Sequence, residues 1–167
     1  MREEIKKAIE GIHPKKIDPR VVYLEGMGIK DEDLEEIAQY IIKIRSDVKQ
    51  IILRNNYITD EGAKILAKAL APLVGVGKKL ELLSLSHTPI GEEGFRTLCD
   101  GLVTLNPDFW ISIHACKLRD PVICYDIQQA AIKTYHDNQA KKKVESCQSY
   151  QPSTSPKAEQ VTPQVPA

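Results

Sequence analysis

The residues of this chain best suited to chemistry stand in two short runs. Ser86 and His87 lie in LSLSHTPI (Leu83–Ile90), and His114 lies in ISIHAC (Ile111–Cys116). A serine near a histidine suggests nucleophilic catalysis, with imidazole taking the hydroxyl proton and a carboxylate such as Glu25 orienting it. The surroundings argue against that chemistry. No G-x-S-x-G turn is present. The apolar alternation puts Ser86 and His114 on the outward side of strands, where nothing excludes water or builds an oxyanion hole. As a metal pair, His87 and His114 lack a third ligand. The four cysteines, Cys99, Cys116, Cys124 and Cys147, include no C-x-x-C pair and have no zinc-like spacing. Reduced, mostly buried thiols are expected. The G-x-G at Gly75 and Gly77 follows a helical pattern and precedes a strand-like one, the reverse of a phosphate loop. The expectation is a protein that is not an enzyme and holds no cofactor or metal.

The charge balance narrows the partners. Lys plus Arg number 23 and Asp plus Glu number 23, so the formal net charge is zero. A nucleic-acid binder would need a strongly basic face. No apolar run is long enough to span a bilayer, and MREEIKKAIEGIHPKK has no apolar signal-peptide core. That opening reads as a short amphipathic helix, with Ile5, Ala8, Ile9 and Ile12 on one side. The expected setting is cytoplasmic, with no membrane and no nucleic acid.

The elements that position these residues show up as a change of period. IILRNNYITDEGAKILAKAL (Ile51–Leu70) alternates apolar and polar residues at first, then places apolar residues at three and four. VYLEGMGIKDEDLEEIAQYI (Val22–Ile41) and LSLSHTPIGEEGFRTLCDGL (Leu83–Leu102) do the same, and ISIHACKLRDPVICYDI begins a fourth unit at Ile111. The columns coincide: Val22, Ile51, Leu83 and Ile111; Leu24, Leu53, Leu85 and Ile113; Ile29, Ile58, Ile90 and Leu118. Helix columns follow at Leu34, Ala63 and Phe95, at Ile37, Leu66 and Leu98, and at Ile41, Leu70 and Leu102. In the fourth unit, Ile123 and Ile127 take over the helix. Met27, Asn56, Thr88 and Cys116 occupy the place where the chain turns off the strand. Asn56, Thr88 and Cys116 can donate to a loop carbonyl there; Met27 cannot. Thr59 or Asp60 is the expected helix cap in the second unit, with Glu61 suiting the positive helix end.

This LxLxxNxL pattern, followed by an acidic helix start, resembles the leucine-rich repeat in its ribonuclease-inhibitor-like form, over Arg20 to Ala131. The resemblance implies an α/β fold: a short leucine-rich-repeat solenoid of about four repeats, with parallel strands on a concave face, helices on a convex face, and helical caps. Three parts are expected. Residues 1–18 form an N-terminal helical cap. Residues 19–140 form the repeat domain, closed by a helix from Pro121 whose stripe is Val122, Ile123, Ile127, Ala130, Ala131 and Tyr135. Residues 141–167 have four prolines and no Leu, Ile or Phe, and read as a disordered polar tail. Lys141–Lys143 would suit the negative end of the preceding helix.

The outward strand positions form rows. Val21, Gln50, Leu82 and Trp110 make one; Tyr23, Ile52, Ser84 and Ser112 the next; Glu25, Arg54, Ser86 and His114 the third; Gly26, Asn55, His87 and Ala115 the last. Tyr23, Ile52, Leu82 and Trp110 form an apolar and aromatic strip, a type of surface that marks interfaces. Trp110 is either exposed for binding or shielded by the C-terminal helix or tail. Glu25 and Arg54 are expected to be an adjacent surface ion pair of little energetic weight. The resemblance implies a monomeric protein-binding module that uses the concave face. The residues expected to meet the partner are Tyr23, Glu25, Ile52, Arg54, Leu82, Ser84, Ser86, His87, Trp110, Ser112 and His114. The partner's identity stays open. So does the context. A secreted bacterial effector reaching a host cell by a non-classical route, a GTPase regulator and an actin-capping protein of the tropomodulin kind all resemble such arrays.

Overall fold

The computed structural model describes residues 1–11, 18–45, 47–75, 77–118 and 121–148. In chain order the elements are α1 (Glu3–Ile9), β1 (Val21–Tyr23), α2 (Leu34–Ile44), β2 (Gln50–Ile52), α3 (Asp60–Val74), β3 (Leu82–Ser84), α4 (Glu92–Leu98), β4 (Trp110–Ser112) and α5 (Pro121–Gln148). A 3-10 turn, Asp31–Asp33, leads into α2, and a π turn, Cys99–Val103, follows α4. The four strands form one parallel sheet in the order β1-β2-β3-β4. Its register aligns Val21, Gln50, Leu82 and Trp110, then Val22, Ile51, Leu83 and Ile111.

The second of these rows faces inward. Val22, Ile51, Leu83 and Ile111 are buried, as are Leu24, Leu53 and Leu85. They pack against Leu34, Ile37 and Ile41 of α2, Leu66 and Leu70 of α3, and Phe95 and Leu98 of α4. Parallel strands need a crossover that returns the chain, and an amphipathic helix of this period buries the same sheet face at each return. α1 adds Ile5 and Ile9 to the same core. Ile12 lies outside the described residues.

The expected leucine-rich-repeat solenoid with concave and convex faces is corrected by this architecture. Among the described residues the chain makes one sheet of four three-residue strands with five α-helices, an α/β fold. A solenoid stacks a constant unit. Here the helices have 7, 11, 15, 7 and 28 residues. The last would be about 42 Å long at 1.5 Å per residue, against a sheet only about 15 Å across at 4.8 Å per strand spacing. α5 runs to Gln148, past the boundary expected at residue 140, so Lys141–Lys143 lie within the helix. The rest of the expected tail, residues 149–167, lies outside the described residues. Of the expected α5 stripe, Ile127 and Ala131 are buried, whereas Val122 is 62% exposed.

Each turn off a strand has a left-handed residue at the same place, Gly26 (φ 68°), Asn55 (φ 55°), His87 (φ 58°) and Ala115 (φ 56°), and the first turn adds Gly28 (φ 63°). The four aligned residues had been expected as a further strand row. They are turn residues instead, and three of them accept a backbone region that costs an L-residue roughly 1 kcal/mol or more. The next residue closes the turn from inside. Asn56, 3% exposed, donates to the carbonyls of Leu24 (2.9 Å), Leu53 (2.8 Å) and Arg54 (3.1 Å), and its Oδ1 accepts from Ile29 N–H at 3.0 Å.

Helix starts dock unit on unit. Thr59 caps α3, its hydroxyl accepting from Glu61 N–H at 3.2 Å. Asp31 accepts from Thr59 N–H at 2.9 Å, and Asp60 accepts from Gly91 N–H at 2.7 Å. Both contacts require a glycine nearby. A Cβ on Gly62 would lie 2.2 Å from Asp31 Oδ1, and one on Gly94 would lie 2.4 Å from Asp60 Oδ1 and 2.9 Å from Asp60 Cα.

Candidate functional site

The side of the sheet opposite the helices carries the residues singled out by the sequence. Beyond the three-residue strands the ladder continues. Gly26 N–H donates to Arg54 O at 2.9 Å, Asn55 N–H to Ser86 O at 3.1 Å, and His87 N–H to His114 O at 2.9 Å. Tyr23, Ile52, Ser84 and Ser112 therefore share one row, and Glu25, Arg54, Ser86 and His114 the next. Trp110 and Leu82 start the neighbouring row. Trp110 is 58% exposed; Tyr23, Ile52, Arg54, Leu82 and Ser112 are half-buried. The C-terminal helix does not shield Trp110, which the described residues leave in contact with solvent; shielding by the tail falls outside the described residues.

The expected Glu25–Arg54 ion pair is replaced by other partners. Glu25 Oε1 accepts from Asn55 Nδ2 at 2.7 Å, and Oε2 accepts from the Tyr23 hydroxyl. Hydrogen bonding to Glu25 holds the phenol proton, so the Tyr23 pKa is raised. Asn55 reaches Glu25 because its left-handed backbone swings the side chain over the end of the neighbouring strand. Sequence reasoning missed Asn55 as a partner; its signal was an Asn at a turn, a residue that tolerates positive φ.

The serine and histidine groups do not assemble into a nucleophile and its base. Ser86 Oγ pairs with Ser112 Oγ at 3.1 Å, and Ser84 and Ser86 are only 5% and 4% exposed. His87 and His114 are exposed at the turn end of the sheet, with ring centroids 6.2 Å apart in an edge-on arrangement. Among the described residues, no three His, Cys, Asp or Glu side chains gather as metal ligands. Cys99 is buried, and burial pushes its thiol up to about 12. At the open end of the sheet, beside β4, a groove of about 520 Å³ is lined by Trp110, Ile113, Leu118, Cys124 and Tyr125, among others. No helix among the described residues is long and apolar enough to cross a membrane.

No protein-family model matches this chain. It is 29% identical, over an alignment of 109 residues, to "NACHT, LRR and PYD domains-containing protein 7" of Homo sapiens. That match covers 50% of this chain, which spans a tenth of the relative's length. Among solved structures, the fold is similar to "Leiomodin-1 Actin-Binding Site 2 (ABS2)", with a TM-score of 0.51 and 13% identity over 87% of this chain and 95% of that one. The sequence likeness is distant, partial support for a leucine-rich repeat in the strand-turn-helix units, and the structural likeness is one of fold.

Proposed function

We propose that this chain is a non-catalytic module that binds a partner protein through the sheet face opposite its helices, and that it acts as a monomer in the cytoplasm. The observation that carries this reading is Trp110. A tryptophan 58% exposed at the end of a sheet row, beside half-buried Leu82, with Ile52 one strand further on and Tyr23 on the opposite edge strand, is the kind of aromatic anchor that concentrates binding energy. The serine and histidine geometry gives hydrolysis no support, because Ser86 is bonded to Ser112. At the level of sequence pattern, the units read as the ribonuclease-inhibitor-like form.

The test is retention of partners by wild type and by a Trp110→Ala/Tyr23→Ala double variant, each first shown to be folded by circular dichroism. The reading expects a partner held by wild type and lost by the double variant. Equal retention by both proteins would move the site to the helical side. Because the similar solved structure is named an actin-binding site, co-sedimentation with filamentous actin is the first defined partner to try.

A further inference from the structure

Arg54 stands near the middle of the sheet face, across one rung from Glu25 and across the other from Ser86. Its natural counter-charge is already engaged. Both Glu25 oxygens accept hydrogen bonds, from Asn55 and from Tyr23. Arg54 Nε is shut away from solvent and has no hydrogen-bond acceptor among the described residues. A buried donor on a charged group without an acceptor is costly and calls for an explanation.

On the far side of Arg54, an acceptor from outside would meet the terminal nitrogens of the half-buried guanidinium, because Nε itself is shut off. Ser84, Ser86, Ser112, His87 and His114 occupy that side, and none is an acid. The Ser86–Ser112 pair uses one of its two hydroxyl hydrogens and leaves the other to donate. A half-buried guanidinium is thus flanked by hydroxyls on a face where, among the described residues, the carboxylate across the rung is occupied. Guanidinium presents a planar fork that matches a carboxylate.

We propose that Arg54 is the anchor for an Asp or Glu side chain of the partner protein, which approaches from the serine side and bonds the terminal nitrogens of the guanidinium. This rests on the sheet-face reading above and names the partner's chemistry. It also predicts a polarity for the interface: the apolar strip at Trp110 and Tyr23 supplies contact area, and Arg54 supplies the charge that fixes register.

A random dodecapeptide library displayed on phage, selected on the full chain, tests it. Selected peptides should share an Asp or Glu. Changing Arg54→Gln should weaken them about tenfold or more, the scale of one charged hydrogen-bonded contact. Arg54→Lys should recover only part of that loss, because the charge stays and the fork is gone. Replacing the shared acid in the peptide by its amide should add nothing further on the Arg54→Gln background. Peptides with no shared acid, no selectable peptide, or affinity for Arg54→Gln within about twofold of wild type would overturn the proposal. Loss of binding in Trp110→Ala/Tyr23→Ala but not in Arg54→Gln would overturn the anchor and keep the sheet-face reading. Binding unchanged in every variant would overturn both.

Discussion

The junction between the first and second units and the junction between the second and third are closed in different ways. At the first, the turn end is bridged twice. Asn56 reaches back to Leu24 O and Ile29 N–H, and Tyr57 N–H donates to Ile29 O at 2.8 Å. At the second, the corresponding side chain is Thr88, whose hydroxyl turns to Leu85 O of its own unit at 2.6 Å. The corresponding backbone donor is absent because residue 89 is proline. The third junction recovers part of the pattern. Cys116 Sγ lies 3.2 Å from Leu85 O, and Lys117 N–H donates to Ile90 O at 3.0 Å. The middle junction therefore leans on its helix end, where Asp60 holds Gly91 N–H, Lys64 reaches both Glu61 and Glu93, and Gly94 lets α4 close on α3. The same backbone rung tolerates different closures because the neighbouring end of the unit compensates.

This contrast can be broken at its strongest point first. Asn56→Ala removes hydrogen bonds to four backbone groups, three of the bonds buried, and a loss of about 4 kcal/mol is expected from urea unfolding, with the slope unchanged. A loss under about 1 kcal/mol would show that the turn bridge is not what holds the first junction.

The helix end comes next. Gly94→Ala places a Cβ 2.9 Å from Asp60 Cα, a backbone atom that cannot rotate away. Gly62→Ala meets only side chains, at Asp31 Oδ1, Ile58 Cγ2 and Leu34 Cδ1. Overpacking should cost about 3 kcal/mol at Gly94 and about 2 kcal/mol at Gly62, after the helix-propensity gain of about 1 kcal/mol from alanine. Thermal melts of the two variants decide the order, and the reverse order would refute the dependence of the middle junction on its helix end.

Smaller effects sharpen the comparison. Thr88→Val strips the bond to Leu85 O within one unit, so about 1.5 kcal/mol should be lost on chemical denaturation, well below the Asn56 value. Cys116→Asn offers a carboxamide where a thiol already points at Leu85 O. A gain of about 1 kcal/mol is expected, read as a raised denaturation midpoint, because an amide donates far better than a thiol.

Much of the frame was legible. The period change in IILRNNYITDEGAKILAKAL reports a strand followed by a helix, and the columns through Val22, Ile51, Leu83 and Ile111 match the observed register. Asn56 was readable as the turn closer because buried Asn offers donors and an acceptor at once. The architecture as a whole was misread. Similar apolar columns suggested a uniform stack, but periodicity does not measure helix length, and α5 grew to 28 residues where α4 has seven. His87 was taken for a strand residue because apolar spacing does not record the sign of φ.

The sequence by itself determined which residues face the core and which share a row, because those follow from a period of two and a period near four along one chain. Only the tertiary structure decided that Glu25 pairs with Asn55 and Tyr23 rather than with Arg54, that α5 leaves Trp110 uncovered, and that Gly62 and Gly94 serve Asp31 and Asp60. Those outcomes depend on distances of a few ångströms between units about thirty residues apart. Such distances arise only once the sheet has set the spacing of its strands.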